Sequence, residues 1–396
     1  MPPLRILQII PSVSLVYGGP SQMVAGLSKS LAAQDLEVTV LTTNSNGDTG
    51  QMPLDVPLNQ PVSQDGYQIR YFNCSPFRRY KFSIDLLKWL AKNSQDYDLA
   101  HIHALFSPIS SAAAAVARYQ QLPYILRPLG TLDPADLQKK KQLKRLYAAL
   151  LERPNLAGAA AVHFTSAQEA KISERFGATT CDLILPLGVE QPKLTQPASP
   201  AELGLPDDRP ILLFMSRIDP KKGLDLLLPA LETLLAEGFL FHFVLAGANP
   251  QDPQYERQIQ QQIQASPLAA QTTLAGFVTG DRKTQLLQAA DLFVLPSYYE
   301  NFGIAVAEAM LAELPVLISD QVHIWPDIDR AQAGWICNCN PASLTQQLRL
   351  ALQDAGERRR RGENARNHAL EHYSWQAIAQ QMIRAYRDLL KPAADC

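Results

Sequence analysis

Short β-rich runs alternate with helix-length stretches along nearly the whole chain, a pattern that fits a parallel sheet covered by helices and little else. Leu4–Ile10 reads as a buried strand, followed by a loop holding Gly18-Gly19-Pro20, a helical stretch to about Gln34, and Glu37–Thr43 as a second strand. The unit recurs with Leu99–His103 as strand, an Ala-rich helix over Pro108–Gln121, and Tyr124–Leu129 as strand. A lysine-rich helix over Ala135–Glu152 and a strand at Ala159–Phe164 come next. Prolines 186, 192, 197, 200, 206 and 210 then punctuate a segment with little apolar periodicity, the composition of a linker. Alternation restarts at Ile211–Arg217 and a helix from Gly223. It runs on through strands at Phe241–Gly247, Thr273–Val278, Asp291–Pro296 and Pro315–Ser319. Two helices close the chain, one near Glu357–His372 and an amphipathic one from Trp375 to about Leu390.

The expectation is two doubly wound α/β domains, over residues 1–190 and 210–374, with a linker at 191–209 and a final helix at 375–396. A length of 396 residues with 46% apolar content supports two buried cores. A net charge of only −2 argues against a dedicated nucleic-acid binder. The apolar runs are strand-length, well short of the roughly 20 residues of a membrane span, and no signal peptide is read at the start. Five scattered cysteines fit a reducing compartment, so the expected location is the cytoplasm.

Chemistry concentrates in three places. In Pro296-Ser-Tyr-Tyr-Glu300-Asn301-Phe302-Gly303-Ile304, a strand ends, a loop carries Glu300, and a helix starts near Gly303 with Glu308 on its second turn. Amides at a helix start suit a phosphate, and a carboxylate one to two turns in can accept both hydroxyls of a ribose diol. Glu308 is flanked by Ala305, Val306, Ala307, Ala309 and Met310, where an unpaired charge is costly. Arg217 and Lys222 lie between a strand end and the next helix, spaced to converge on a diphosphate; a solvated basic loop is the alternative. In Asp98-Leu-Ala-His101-Ile-His103 the two histidines share a strand face, with His103 nearer the carboxyl end; packed core histidines are the alternative. Gly18 and Gly19 let backbone N–H groups approach an anion, or simply close a turn. Asp327-Ile-Asp329 has the spacing of a metal pair but follows Trp325-Pro326 in what reads as a loop, and no metal site is assigned. Neither a dinucleotide fingerprint nor a P-loop nor a nucleophile elbow is present.

Taken in order, Gly18-Gly19-Pro20-Ser21, His101-Ile-His103, Arg217 through Lys222-Gly223, Pro186-Leu-Gly188-Val189 and the Glu-x7-Glu pair Glu300/Glu308 resemble family 4 of the retaining glycosyltransferases. That resemblance implies the GT-B architecture, two Rossmann-like domains facing each other across a cleft. It implies an acceptor-binding first domain, a nucleotide-sugar-binding second domain, and a last helix that crosses back to the first. Glu308 would bind the ribose, Arg217 and Lys222 the diphosphate, and Glu300 the transferred sugar. His103 would sit near the anomeric carbon, Gly19 would give backbone donors to the phosphate, and Asn301, Phe302, Gly303 and Ile304 would contact the donor at the helix start. Retention of configuration, no cofactor and no obligatory metal follow from the same resemblance. Donor and acceptor are then a UDP- or GDP-sugar and a saccharide or lipid-linked acceptor. A nucleotide-sugar epimerase and a non-catalytic nucleotide-sugar-binding module stay open as alternatives. Asp136–Arg153, with six basic residues against two acidic ones and leucines at helical spacing, also reads as a peripheral membrane contact.

Overall fold

The computed structural model of the chain describes residues 3–17, 19–47, 51–74, 81–133, 137, 145–191, 199–250 and 252–391. They divide into two compact units: residues up to Gly188 together with those from Trp375 onward, and Val189–Ser374. The first unit contains β1 (Arg5–Ser12), α1 (Gly19–Ala32), β2 (Glu37–Thr43), β3 (Pro61–Gln64), β4 (Tyr67–Phe72) and α2 (Ile84–Asn93). It continues with β5 (Leu99–His103), α3 (Pro108–Tyr119), β6 (Tyr124–Arg127), α4 (Arg153–Ala157), β7 (Ala161–Phe164), α5 (Ala167–Ile172) and β8 (Asp182–Ile184). Its sheet runs β3-β4-β2-β1-β5-β6-β7-β8, parallel throughout except for β3 against β4.

The second unit holds β9 (Ile211–Met215), α6 (Leu224–Ala236), β10 (His242–Ala246), α7 (Pro253–Gln264), β11 (Thr272–Gly276) and α8 (Gly280–Ala289). Then come β12 (Leu292–Leu295), α9 (Ile304–Leu311), β13 (Val316–Ser319), α10 (Trp325–Arg330), β14 (Gly334–Cys337), α11 (Pro341–Gln353) and α12 (Ala355–His372). Its six-stranded parallel sheet is ordered β11-β10-β9-β12-β13-β14. The last helix, α13 (Trp375–Leu389), follows this unit in sequence but belongs to the first.

Both sheets are doubly wound, and in each the strand order reverses at one point: between β1 and β5, and between β9 and β12. Connections leave in opposite directions there, so the loops that follow the two strands diverge and leave room for a ligand outside the strands' carboxyl ends. Central strands such as Ile211-Leu-Leu-Phe-Met215 are buried along their whole length, because helices cover both faces. In the first unit the period-2 alternation sorts side chains cleanly. Ile6, Ile10, Val38, Val40, Leu99 and Ile125 pack under α1 and α13, while Leu7, Ile9, Leu41, Ala100 and Ile102 pack under α2 and α3.

Several elements depart from the sequence reading. β3, β4, α2 and β14 were not anticipated. Trp325–Arg330 is a helix rather than a loop: Pro326 sits in its first turn, where no backbone donor is needed, and Asp327 pairs with Arg330 at 3.0 Å. Of the lysine-rich stretch, residues 134–136 and 138–144 lie outside the described residues, and Ala148–Glu152 forms a π-helical turn that runs into α4. Within the proline-punctuated stretch, 192–198 lie outside the described residues, while Pro200–Leu203 is a capped 3-10 turn that buries Leu203. Among the described residues no helix is long and apolar enough to cross a membrane.

The joint between α1 and α13 is set by two glycines. A Cβ on Gly26 would lie 2.3 Å from the Trp375 ring, and one on Gly188 would lie 2.0 Å from it. Gly to Ala inside an exposed helix ordinarily stabilises by about 0.5–1 kcal/mol. At Gly26 the sign reverses: Gly26→Ala should lose about 1–3 kcal/mol by overpacking, read as a lower urea midpoint at unchanged m-value.

Candidate functional site

In the second unit, the loops leaving β9 and β12 meet at the reversal point. Gly223 caps α6 in the left-handed region, φ 73°, and a Cβ there would lie 2.1 Å from the Pro296 carbonyl oxygen. The Tyr298 amide donates to the Lys221 carbonyl at 2.8 Å, and Tyr298 Oη donates to Asp225 at 2.8 Å. Glycine is thus required twice at position 223, for backbone sign and for contact. The packed loops bring Lys222 Nζ onto Glu300 Oε2, a pair with side chains 16% and 23% exposed. Arg217 is half exposed, with one guanidinium nitrogen 3.4 Å from Asp219.

Glu300 is held from the other side by the turn after β13. Its amide donates to Gln321 O at 3.1 Å, and its carbonyl accepts from the His323 amide at 2.9 Å. Three residues on, Gly303 caps α9 at φ 77°, and its carbonyl takes the amides of Val306 and Ala307. The amides that precede Val306 at such a helix start have no acceptor within the helix, and point where an anion binds best. Phe302 is 2% exposed and packs edge-on against Tyr373 at 5.2 Å, so only its main chain can face a ligand. Asn301 Oδ1 accepts the Tyr299 hydroxyl at 2.6 Å.

Glu308 lies on the second turn of α9, and the charge that would be costly to leave unpaired among its apolar neighbours has a partner. Lys283 of α8 donates to its Oε1 at 2.5 Å. Sequence reasoning missed Lys283, which carries no local signal 25 residues away on another helix. The second unit therefore gathers Arg217, Lys222, Glu300, Glu308, Lys283 and the α9 start at its strand-order reversal. Asp327 and Asp329 sit apart on α10, and among the described residues no metal-ligating cluster is found.

In the first unit, Gly18 lies outside the described residues, and Gly19 opens α1 beyond the 3-10 turn Leu15–Tyr17 that follows β1. His103 ends β5 at the other reversal point, followed by Ala104 at φ 68° and Phe106 at φ 58°, left-handed residues that lack glycine's freedom. His101 and His103 share a face and stack at 4.5 Å, yet both are fully buried. His103 Nε2 meets Gln8 Oε1 at 2.7 Å, Gln8 Nε2 donates to Tyr386 Oη at 3.1 Å, and that hydroxyl lies 2.9 Å from His101 Nδ1. His101 Nε2 then meets His163 Nδ1 at 3.2 Å, and His163 Nε2 meets the Leu185 carbonyl at 2.9 Å. Burial first, then neighbouring cationic groups including Arg127, hold His101 and His103 well below the usual imidazole range; burial and Arg127 push His163 down to about 3.

The family pattern described as "Glycosyl transferases group 1" matches residues 195–368, and that described as "Glycosyl transferase 4-like domain" matches residues 18–183. The chain belongs to the group 1 glycosyltransferases. An uncharacterized glycosyltransferase of Methanocaldococcus jannaschii is 31% identical over 47% of this chain and 46% of that protein, so the match spans about half of each. A D-inositol 3-phosphate glycosyltransferase of Streptomyces bingchenggensis is 25% identical over 94% of this chain and 85% of its own. Among solved structures, sucrose-phosphate synthase of Thermosynechococcus elongatus superposes at a TM-score of 0.74 with 22% identity, covering 98% of this chain and 99% of that one. An Anabaena protein solved with UDP and glucose gives a TM-score of 0.72 at 18% identity, covering 97% of this chain and all of that one. The two parallel-sheet α/β units are those of the GT-B architecture.

In this glycosyltransferase, Gln8, Arg127, His163 and Tyr386 are further polar residues that sequence reasoning missed. Gln8 had a signal, since it interrupts the apolar run Ile6-Leu-Gln8-Ile-Ile10 and must find a buried partner. The three histidines give the enzyme a steep acid limit. They are neutral when folded and free to protonate when unfolded, where imidazoles titrate near pH 6.5. Stability is then fully present above that pH and falls as pH drops below it toward the depressed folded values, because the unfolded state binds the extra protons. The slope should approach about 4 kcal/mol per pH unit for three groups. Urea unfolding at about pH 7.5 and about pH 5 checks this, and equal midpoints would mean the histidines are not held neutral.

Proposed function

We propose that this glycosyltransferase moves a sugar from a nucleotide-sugar donor, taken by the second unit, to a hydroxyl of an acceptor taken by the first. The observation that carries the reading is the convergence of Arg217, Lys222, the α9 N-terminus and two carboxylates at one strand-order reversal. A departing nucleoside diphosphate gains charge in the transition state, and two cations with a helix terminus meet that charge as it develops. Glu308 takes the ribose diol, Arg217 and Lys222 the diphosphate, and Glu300 the transferred sugar. Main-chain groups of Asn301, Phe302, Gly303 and Ile304 complete the donor contacts. In the first unit, His103 serves the reacting sugar and the backbone at Gly18 and Gly19 the phosphate. UDP is the favoured nucleotide, supported by the UDP-bound Anabaena protein, and the inositol phosphate in a relative's name supports a hydroxyl-bearing acceptor.

The reaction proceeds with retention and without an obligatory metal. The departing phosphate removes the acceptor proton on the same face of the sugar, and no side chain serves as a covalent nucleophile. Incubation with a panel of UDP-, GDP- and ADP-sugars and simple acceptors tests this, with NMR of the product. A new glycoside that keeps the donor's anomeric configuration, formed equally with chelator present, is expected. A free epimerised nucleotide-sugar, an inverted linkage, or binding without turnover each defeats the reading. Glu308→Ala should weaken nucleotide binding by about 1.5–3 kcal/mol, seen by calorimetry of the folded variant. Undiminished affinity would remove the ribose assignment.

The proposed setting is the cytoplasm, at the inner face of a membrane that carries a lipid-linked acceptor. Lys139, Lys140, Lys141 and Lys144 lie outside the described residues. In the part that is described, Leu146, Leu150 and Leu151 are 59%, 66% and 42% exposed beside the exposed Arg145 and Arg153. Glu152 turns inward instead, accepting from the Phe106 amide at 2.6 Å and Ser111 Oγ at 2.8 Å. An apolar and basic surface with its acid removed suits anionic lipid. The chain should co-sediment with anionic vesicles at low salt. Co-sedimentation unaffected by changing the four lysines to Gln would defeat the contact.

A further inference from the structure

The polar groups under α13 form one continuous chain of hydrogen bonds, and one end of it has only one chemical solution. The Leu185 carbonyl can only accept, so His163 carries its proton on Nε2 and, being neutral, presents a bare Nδ1. His101 must then donate from Nε2 to His163, which leaves His101 Nδ1 as an acceptor for the Tyr386 hydroxyl. With its proton spent, Tyr386 Oη accepts from the Gln8 amide, and Gln8 Oε1 accepts from His103 Nε2. Every donor and acceptor along the path is thereby assigned in a single direction. The last atom, His103 Nδ1, is left deprotonated, fully buried and without a partner among the described residues.

We infer that this relay, anchored at the Leu185 carbonyl and passing through Tyr386 of α13, fixes His103 as the Nε2–H tautomer and so presents its Nδ1 as an acceptor for a hydroxyl of the saccharide substrate. The ligand class follows from the chemistry: a neutral imidazole nitrogen with no proton takes an O–H donor, and a sugar offers these in number. Assigning that hydroxyl to the substrate rests on the glycosyl-transfer reading above; the direction of the relay does not. Tyr386 is a positioning residue, touching His103 only through Gln8. Without the anchor the same path can run backwards. His101 would donate from Nδ1 to Tyr386, Tyr386 to a rotated Gln8, and Gln8 to His103 Nε2, leaving a proton on Nδ1 where the hydroxyl needs an acceptor. Arg127 and Glu169 are the charged groups that act on this region, and neither is a link in the relay.

Two-bond proton–nitrogen NMR of full-length protein labelled at histidine nitrogen reads each tautomer directly. In the native chain His101, His103 and His163 should all be Nε2–H. Tyr386→Phe keeps the ring but cuts the path, and His103 should become a tautomer mixture. Its kcat should fall about five- to tenfold with the donor KM unchanged. Met382→Leu, on the same helix and in the same core, should change neither. His163→Phe removes the anchor from the other end and gives the same spectroscopic readout should Tyr386→Phe fail to fold. The inference is overturned by a native His103 protonated on Nδ1, or by an unchanged His103 tautomer when the path is cut. It is equally overturned by an altered tautomer with native kcat. Failure of the glycosyl-transfer reading looks different: no nucleotide-sugar is turned over by the native chain, while the spectra still decide the relay.

Discussion

The hydrogen bond from the Tyr298 amide to the Lys221 carbonyl, 2.8 Å long, joins two loops that share no sequence proximity, and the meeting of Lys222 with Glu300 depends on it. It is possible only because Gly223 has no side chain to strike the Pro296 carbonyl. Once the loops are joined, Lys222 and Glu300 meet with both side chains largely out of water. Removing either alone would strand a charge, which costs far more than the pair contributes. The loop that carries the cations and the loop that carries the carboxylate and leads into α9 therefore behave as one piece. Preorganisation of this kind lets charged groups act on a leaving group without first having to be gathered.

The same logic governs α9. Glu308 sits among alanines and methionine in sequence, but its spatial neighbour is Lys283 of α8. Each of the two carboxylates of the Glu-x7-Glu pair is thus matched to a lysine delivered by a different element. A ligand that brings its own negative charge would compete for those lysines, and one that brings hydroxyls would compete for the carboxylates. A nucleotide-sugar brings both, which is a physical reason for mixed pairs to line such a site.

Much of the fold was legible because parallel strands buried on both faces read as continuous apolar runs, such as Ile211–Met215 and Leu292–Leu295. β2 and β5 match the sequence reading residue for residue. β3 was missed because it is an edge strand of four residues, Pro61-Val-Ser-Gln64, mostly exposed and without an apolar face. The helix at Trp325–Arg330 was missed because its 6 residues are too few to show a helical period, while its first-turn proline breaks nothing. In the sites, Glu300, Glu308, Arg217 and Lys222 could be singled out because they flank strand ends and a helix start. Lys283 and Tyr386 could not, since long-range pairing leaves no mark on local composition. Gln8 stands between these cases: its place in a buried strand announces a partner without saying which.

The position of α13 in the chain has a consequence for the order of assembly. Trp375 fills the hollow at Gly26 and Gly188, and Tyr386 supplies the hydroxyl that His101 and Gln8 require. During synthesis these residues emerge only after the whole second unit has been made. Until then the face of the first sheet under α13 holds exposed apolar surface and unsatisfied imidazoles, and contacts of such sequence separation form late. The second unit, continuous in sequence, faces no such delay. The N-terminal half of the polypeptide is therefore the last part of the molecule to reach its native core.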